Sequence, residues 1–316
     1  MRMNRKAELT ARFLAEVGKP LARDVPLKEL SSFRIGGPAD QFFEATTSGE
    51  LAAAVGFARR TGVPYYVIGG GTNILFADDG YRGLIVRNRA QGMTPGPEPG
   101  EVEVLSGTPL SQLLQHAVDH SLEGLEFLAG IPGTVGGALY GNAGAFGWAM
   151  GDVFVRAVFL GDDGNERPAS LEDMAFGYRH SALKTRPAIA LSAVLRAVPG
   201  NPERIRKAVL ENLERRRDRQ PDWGTPCAGS YFKNPVRADG TRVPAGCLLE
   251  DVGAKELRVG DAAVFSGHAN FLINLGDARA ADVLALAAEL KERVRERSGI
   301  VLEEEVIYLP EAVSGP

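Results

Sequence analysis

The sequence predicts an α+β protein of three lobes, with breaks near residues 90 and 200. Its 316 residues, of which 44% are hydrophobic and 24% charged, suit a globular protein of two or three domains. Segments with helical periodicity alternate along the chain with short runs of strand-forming residues. Two stretches rich in proline and glycine, at 91–100 and 199–202, interrupt this pattern and are the candidate boundaries.

The first lobe begins with helical periodicity over residues 7–17. A second helix is expected over Leu51–Arg60, with Ser48 as its N-cap. This helix leads into Tyr65–Ile68, a short run rich in β-forming residues, and Gly83–Arg87 is a second expected strand. Together these segments predict a βαβ-like unit.

The rest of the chain continues the mixed pattern. The expected strands are residues 102–106, Val153–Leu160, Ile189–Val198, Val264–Ser266, Phe271–Asn274 and Val301–Leu309. The expected helices are residues 109–120, Glu203–Arg219 and Arg279–Arg297. We expect Asp162–Gly164 to form the turn between Val153–Leu160 and Ile189–Val198, Asp277 to cap the last helix, and Gly299 to end it.

Charge and composition exclude several classes of protein. A net charge of −4 and a pI near 5.7 argue against nucleic acid as the main ligand. No run approaches the roughly 18 consecutive apolar residues of a membrane span, and no hydrophobic signal core is seen near the N-terminus. The two cysteines, Cys227 and Cys247, and the four scattered histidines match no disulfide framework or metal-site spacing. We therefore expect a metal-free protein of the reducing cytoplasm.

Glycine is the compositional anomaly, with 38 residues in 316, against a usual share of about 7 in 100. Eleven glycines lie in two clusters, Gly69–Gly71 and residues 130–151. Backbone amides in such loops can face phosphate oxygens, so two loops suggest a dinucleotide with a diphosphate bridge. Neither loop has the GxGxxG or P-loop spacing, which disfavours a Rossmann fold. The alternative is that the glycines only allow tight turns and close packing.

Seven segments resemble, in sequence order, those of the UDP-N-acetylenolpyruvoylglucosamine reductase family, the flavin enzymes of bacterial peptidoglycan precursor synthesis. The similarity spans about residues 30–309. The segments are Ser32-Phe-Arg-Ile-Gly-Gly-Pro-Ala-Asp40, Val67-Ile-Gly-Gly-Gly-Thr-Asn-Ile-Leu75, Gly130-Ile-Pro-Gly-Thr-Val-Gly-Gly137 with Gly141-Asn-Ala-Gly144, Phe176-Gly-Tyr-Arg-His-Ser181, Ala228-Gly-Ser-Tyr-Phe-Lys-Asn-Pro235, Gly267-His-Ala-Asn-Phe271 and Leu302-Glu-Glu-Glu-Val306.

The resemblance implies an α+β FAD-binding fold of the vanillyl-alcohol-oxidase (PCMH) type, in which two lobes hold noncovalent FAD and a third binds substrate. The implied lobes are residues 1–90, then 91–200 and 201–300, and a strand at about 300–316 is expected to return to the first lobe. The implied cofactor-binding residues are Arg34, Gly36, Gly37, Gly69, Gly70, Gly71, Thr72, Asn73, Ile74, Gly130, Ile131, Pro132, Gly133, Thr134, Val135, Gly136, Gly137, Asn142, Ala143 and Gly144. Asn73 and Asn142, each taken singly, are also typical of turns.

The family reaction implies three catalytic residues. NADPH reduces FAD, and a hydride then passes to C3 of the enolpyruvyl ether of UDP-N-acetylglucosamine, giving UDP-N-acetylmuramate. Arg179 would be the fixed cation beside the carboxylate, and Ser230 would donate the proton to C2. Glu305 would hydrogen-bond the enolic carboxylate while protonated, or orient Arg179. Outside their motifs, Arg179 would indicate a surface salt bridge, Ser230 a structural turn, and Glu305 a solvated acidic edge.

The resemblance also implies a set of substrate-binding residues, which are Tyr178, Lys233, Asn234, His268 and Asn270. Tyr178 is also consistent with simple packing. The cluster Arg215–Arg219 ends a predicted helix, where cations are stabilising, and the alternative is contact with ligand phosphates. Only 50 residues separate Arg179 from Ser230, so we expect the family branch without a tyrosine lid. The expected partners are the UDP-sugar and NADPH, and a monomer is consistent with the sequence.

Two other functions stay open on the sequence. One is an FAD-linked oxidase of the same fold that acts on an alcohol or a lactone. Covalent flavin attachment is disfavoured because residues 65–80 contain neither histidine nor cysteine. The other is a non-catalytic nucleotide-binding module, which gives no reason for Arg179, Ser230 and Glu305 to occur together in their motifs.

Overall fold

The computed structural model describes residues 2–237 and 239–310. The strands of these ranges, β1 to β19, are Ala22–Pro26, Pro38–Ala45, Tyr65–Ile68, Ile74–Phe76, Tyr81–Asn88, Met93–Pro95, Glu101–Leu105, Leu122–Glu123, Gly144–Ala145, Trp148–Ala149, Phe154–Leu160, Glu166–Ser170, Ile189–Arg196, Val198–Pro199, Cys227–Ser230, Arg258–Val259, Ala262–Val264, Phe271–Asn274 and Ile307–Leu309. The helices α1 to α9 are Arg2–Val17, Ser48–Thr61, Leu110–Asp119, Val135–Gly141, Met150–Val153, Leu171–Met174, Pro202–Arg217, Ala245–Glu250 and Ala280–Ser298.

The first region, residues 22–90, has a four-stranded sheet in the order β1-β2-β5-β3. Strands β2, β5 and β3 are parallel, and α2 crosses between β2 and β3, which confirms the predicted βαβ-like unit. Ser48 is not the N-cap of α2. Thr47 caps it instead, since its backbone is extended and its hydroxyl accepts from the Glu50 amide. Gly62, in the left-handed conformation, ends the helix.

The second region, residues 91–200, has an antiparallel five-stranded sheet in the order β12-β11-β13-β7-β6. The predicted strands at 153–160 and 189–198 correspond to β11 and β13. The Asp162–Gly164 turn instead leads from β11 into β12, which the sequence pattern did not predict. Strand β12 contains Pro168 and is mostly exposed, as suits the edge of a sheet.

The third region, residues 220–310, has an antiparallel sheet in the order β15-β18-β17-β16. Helix α9 packs its buried apolar stripe onto the core of this region. Asp277 does not cap α9. The carboxylate of Asp78, from the first region, accepts from the Ala280 and Ala281 amides at 2.7 and 3.1 Å. Gly299 ends the helix, as predicted.

The end of the described chain returns to the first region. Strand β19 pairs in parallel with β4, with Ile307 opposite Ile74. Of the predicted strand 301–309, Ile307–Leu309 forms a strand, and Glu304 makes an isolated β-bridge with Phe232. Residues 1 and 311–316 of the predicted first lobe lie outside the described residues. No helix in the described ranges is long and apolar enough to cross a membrane.

The apolar cores show how the three regions are joined. Phe33, Ile35 and Leu75 of the first region are part of the third region's core. Leu160 and Leu191 of the second region join the cluster between the first sheet and helices α1 and α2. Within the described residues, no apolar cluster joins the second region to the third. The first region is therefore the common support of the other two.

Candidate active site

A cleft of about 1310 Å³ lies where the three regions meet. The first region contributes the loop before β4, the second contributes the loop before α4, and the third contributes β15. The end of α7 and the segment after it form a further part of the wall. This cleft collects most of the residues that the sequence analysis singled out.

The two glycine loops abut at one side of the cleft. A Cβ atom on Gly70 would lie 3.2 Å from the Gly133 Cα, and a Cβ on Gly69 would collide with the Thr134 hydroxyl. The Thr72 hydroxyl donates to the Pro132 carbonyl at 3.3 Å, which ties one loop to the other. Larger residues would separate the loops, so the glycines keep a wall of nearly bare backbone. Such a wall fits a dinucleotide, whose phosphates need close approach to backbone amides.

Sixteen of the expected cofactor-binding residues line this cleft. They are Arg34, Gly69, Gly70, Gly71, Thr72, Asn73, Ile74, Gly130, Ile131, Pro132, Gly133, Thr134, Gly136, Gly137, Ala143 and Gly144. The structure therefore brings both predicted loops to one site.

Four of the expected cofactor-binding residues lie elsewhere among the described residues. A Cβ on Gly36 would lie 2.7 Å from the Phe76 Cβ, and a Cβ on Gly37 would lie 2.6 Å from the Gly80 amide nitrogen, so both positions need glycine for packing. Val135 is fully buried in the second region's core. Asn142, in the left-handed conformation, donates to the Gly177 carbonyl at 2.8 Å and supports the next loop.

Arg179 lies in a tight turn held by reciprocal backbone hydrogen bonds between Gly177 and His180. Its φ of 53° is in the left-handed region, which non-glycine residues seldom adopt. The guanidinium points into the cleft and forms an ion pair with Glu305, with 2.7 Å from Nε to Oε1. Because Arg179 belongs to the second region and Glu305 to the third, this ion pair spans the cleft.

Glu305 differs from the two acids that precede it. Glu303 pairs with Lys233 at 3.1 Å and Glu304 with Lys291 at 2.8 Å, both towards solvent. Glu305 is mostly buried, and burial raises the pKa of its carboxyl group, against the opposing effect of Arg179, Lys184 and Lys233. The Asn73 side chain donates to the Glu305 carbonyl at 3.1 Å, which fixes its backbone to the first glycine loop.

Ser230 ends β15 and faces the cleft. Within the described residues, no hydrogen bond from its hydroxyl to another group is found, so the hydroxyl is free to meet a ligand. The adjoining segment is held firmly by Asn270, whose side chain accepts from the Phe232 amide at 2.9 Å and donates to its carbonyl at 2.8 Å. Asn270 is thus engaged with the backbone and does not line the described cleft wall.

The other expected substrate-binding residues divide into two groups. His268 lines the cleft, burial lowers its pKa, and its Nδ1 accepts from the Asn270 amide at 3.1 Å. The described cleft wall does not include Tyr178, Lys233 or Asn234. The Tyr178 hydroxyl accepts from the Asn234 amide at 3.2 Å, and the Arg242 guanidinium carbon lies 3.7 Å from the centre of the Tyr178 ring. These contacts join the second region to the third at Tyr178, the residue that precedes Arg179.

The structure brings to the site cations whose role the sequence analysis had left open or had not considered. Four arginines at the end of α7 and just beyond it line the cleft, namely Arg215, Arg216, Arg217 and Arg219. Arg216 packs against Gly130 and lies 5.3 Å from the Phe146 ring centre, and burial lowers its pKa. The sequence signal for these arginines was that four of them occur within five positions, but cations are also common at a helix C-terminus for stability alone. Lys184 also lines the cleft, and no motif had indicated it.

Comparisons with known proteins agree with this architecture. Residues 39–166 match a family model described as FAD binding domain, and residues 220–309 match one described as UDP-N-acetylenolpyruvoylglucosamine reductase, C-terminal domain. The first match confirms the expected α+β FAD-binding fold.

Relatives match over nearly the whole chain. The UDP-N-acetylenolpyruvoylglucosamine reductase of Moorella thermoacetica is 43% identical over 89% of this chain and 90% of its own length. That of Geobacter metallireducens is 42% identical over 95% of this chain and 97% of its own length. The crystal structure of UDP-N-acetylenolpyruvylglucosamine reductase (MurB) from Thermus caldophilus matches with a TM-score of 0.77 and 35% identity, over 92% of this chain and 99% of that one. The chain therefore belongs to the UDP-N-acetylenolpyruvoylglucosamine reductase family.

Proposed function

We propose that this protein uses FAD and NADPH to reduce the enolpyruvyl group of UDP-N-acetylenolpyruvoylglucosamine, forming UDP-N-acetylmuramate for peptidoglycan precursor synthesis. The observation that carries the proposal is the convergence of Arg179, Ser230 and Glu305 on one cleft beside two abutting glycine loops. The family membership supports the same function. All these residues come from one chain, so the proposal needs no second subunit. We place the enzyme in the reducing cytoplasm, with which the two free cysteines, Cys227 and Cys247, agree.

The glycine loops Gly69–Ile74 and Gly130–Gly137 are the parts of the chain that would hold FAD. Their nearly bare backbone can approach a diphosphate, as larger side chains would not allow. When bound, FAD supplies the hydride chemistry, taking a hydride from NADPH and providing one for C3 of the enolpyruvyl group. The remaining steps concern charge and protons, and this chain's own residues perform them.

Arg179 and Glu305 would manage the charge on the substrate. Addition of hydride at C3 puts negative charge at C2, delocalised into the neighbouring carboxylate, and a fixed cation stabilises that charge in a partly buried cleft. Arg179 is such a cation, since its guanidinium can fork onto a carboxylate. Glu305 orients Arg179 through the 2.7 Å ion pair in the structure described. Because its pKa is raised, it can also take up a proton and hydrogen-bond the enolic carboxylate.

Ser230 would complete the reaction by protonating C2. A hydroxyl is a weak acid, but the carbon that accepts the proton is strongly basic. The hydroxyl faces the cleft and has no partner within the described residues that would compete for its proton. Solvent then restores the serine proton, so one hydride and one proton have been added across the double bond.

The cations at the end of α7 support binding of the nucleotide parts. Arg215, Arg216, Arg217 and Arg219 line one wall, where guanidiniums can bind the substrate's diphosphate or the phosphates of NADPH. Phe146 packs beside Arg215 and Arg216 at the same wall. In this proposal, residues 1–90 with the C-terminal strand and residues 91–200 hold FAD, and residues 201–300 cover the substrate.

The visible spectrum of the purified protein tests this function. We expect noncovalent yellow flavin that bleaches with NADPH under anaerobic conditions and regains its colour when the enolpyruvyl sugar nucleotide is added. A colourless protein that takes up no FAD would exclude both the proposed reductase and an FAD-linked oxidase of the same fold. Flavin that bleaches with an alcohol or lactone, and not with NADPH, would indicate an oxidase of the same fold instead.

A further inference from the structure

The turn that carries Arg179 needs support, because its backbone is in a conformation that glycine or asparagine usually occupies. Arg179 has a φ of 53° at the third position of the Gly177–His180 turn. Such a conformation persists only where several surrounding contacts hold it in place. The groups that make those contacts therefore decide where the guanidinium points.

Three side chains hold this turn. Asn142 donates to the Gly177 carbonyl at 2.8 Å, and the buried Ser181 donates to the Tyr140 carbonyl at 2.9 Å. Lys184 contacts the strained residue itself, since its Nζ donates to the Arg179 carbonyl at 2.9 Å. Lys184 ends a single turn of 3-10 helix formed by residues 182–184, which brings its side chain back over the turn.

Lys184 is also close to the charges of the site. It lines the cleft and is half-buried, with its Nζ 5.5 Å from the centre of the Tyr140 ring. The charged groups that influence it are Arg179, Glu305 and Lys233, and burial is the main reason that its pKa is lowered. In turn, its positive charge lowers the pKa of Glu305, against the larger effect of burial. One ammonium group thus acts on both members of the ion pair.

We propose that Lys184 is a positioning residue that holds the Arg179 backbone in its left-handed turn and places a second positive charge beside Glu305. This inference rests on the proposed function, because the charge that Arg179 and Glu305 handle arises on the enolpyruvyl group. It adds a residue that no motif of the sequence had indicated.

Substitution of Lys184 separates its charge from its bulk. Lys184→Met keeps the length of the side chain but removes both the donor and the charge, whereas Lys184→Arg keeps both. We expect Lys184→Met to slow flavin reoxidation by the enolpyruvyl sugar about ten- to hundredfold, the effect of losing a hydrogen bond from a charged donor. Flavin reduction by NADPH should stay within about twofold of wild type, and Lys184→Arg should retain most of the reoxidation rate.

Two further readouts distinguish positioning from a general structural role. Without the ammonium group, the pKa of Glu305 rises further, so the pH profile of reoxidation should move to higher pH in Lys184→Met and stay in place in Lys184→Arg. The charged groups that still face Glu305, Arg179 and Lys233, are the same in both variants. Amide hydrogen exchange of residues 177–184 should also become faster in Lys184→Met, because the turn has lost a contact.

Lys291→Met is the matched control, since it removes the ammonium that pairs with Glu304, the immediate neighbour of Glu305. We expect wild-type rates and an unchanged pH profile. If Lys184→Met does not fold, the neutral polar variant Lys184→Gln carries the same prediction for the pH profile. The inference is wrong if the neutral variant reoxidises at the wild-type rate, or if it slows with no movement of the pH profile. Failure of wild-type protein itself to reduce the sugar would instead contradict the proposed function.

Discussion

The third region meets the other two regions through interfaces of different kinds. Towards the first region the contact is built on an apolar core, because Phe33 and Leu75 are fully buried in the third region's core. Hydrogen bonds such as that from the Ala280 amide to Asp78 lie beside this core. Towards the second region the contacts are polar. They include the Arg179–Glu305 ion pair, the hydrogen bond from the Asn234 amide to the Tyr178 hydroxyl, and the stacking of Arg242 on the Tyr178 ring. The Arg179–Glu305 ion pair therefore belongs to the polar interface.

This difference indicates which contacts of the cleft are fixed and which can be exchanged. Burial of apolar surface contributes about 25 cal/mol for each Å², so the fully buried contacts hold the third region, with Ser230 and Glu305, to the first. Partly exposed polar contacts contribute only about 0–1.5 kcal/mol each. The Arg179–Glu305 contact can therefore be exchanged for contacts with substrate, whereas Ser230 keeps its place beside the glycine loops. Three variants test this contrast.

The largest effect is expected at the apolar interface. Phe33→Ala removes a fully buried ring and should lower the free energy of unfolding by about 3–5 kcal/mol. Urea denaturation measures this loss, with Leu275→Ala as the control, since Leu275 is mostly exposed and its truncation should cost less than about 0.5 kcal/mol. A loss below about 1 kcal/mol at Phe33 would mean that this interface does not hold the third region.

A smaller effect is expected at the polar interface. Tyr178→Phe removes the hydroxyl that accepts from the Asn234 amide but keeps the ring on which Arg242 stacks. The free energy of unfolding should fall by about 0.5–1.5 kcal/mol, measured by the same denaturation. Tyr308→Phe, at a partly exposed tyrosine of β19, should leave stability unchanged. A loss at Tyr178 as large as that of Phe33→Ala would remove the contrast between the interfaces.

The smallest effect concerns Glu305 and depends on pH. Because burial raises its folded-state pKa, the folded protein holds the proton more tightly than the unfolded chain, and the resulting stability is lost as pH rises through that pKa. Glu305→Gln mimics the protonated acid and should match wild-type stability at about pH 4 but exceed it slightly at about pH 8. Thermal unfolding across this range measures the difference. A wild type that gains stability over the variant as pH rises would mean that the ion pair outweighs burial.

Much of the fold was predictable because it depends on local signals. Gly299 ends α9 where the apolar stripe ends, and the glycine clusters marked the two loops of the cleft. Other features depend on distant partners that no local pattern shows. Asp78 caps α9 from about 200 residues away, so Asp277, the nearer acid, was the wrong choice. Gly36 lies within a family motif, yet position 36 requires glycine because a larger residue would collide with Phe76.

The site shows the same division between motif and tertiary contact. Ser230 and Glu305 were indicated by their motifs, and both face the cleft. Lys184 was missed because a single lysine carries no spacing signal, and only the return of the 3-10 turn brings it to the Arg179 carbonyl. Asn142 was expected at the cofactor from its motif and in a turn from its residue type, and in the structure its side chain bonds Gly177 and Gly151 and so supports the Arg179 turn.

In the proposed reaction hydride supply and proton supply are separate, and Ser230, beside the glycine loops, is the proton donor. Stopped-flow spectroscopy of Ser230→Ala tests it, with flavin reduction by NADPH and flavin reoxidation by the enolpyruvyl sugar followed one after the other. Ser266→Ala is the control, since Ser266 is an exposed serine of the same region. We predict flavin reduction within about twofold of wild type and reoxidation slower by about 10²–10⁴-fold. Equal losses in both steps, or reoxidation at the wild-type rate, would contradict the role of Ser230 as proton donor.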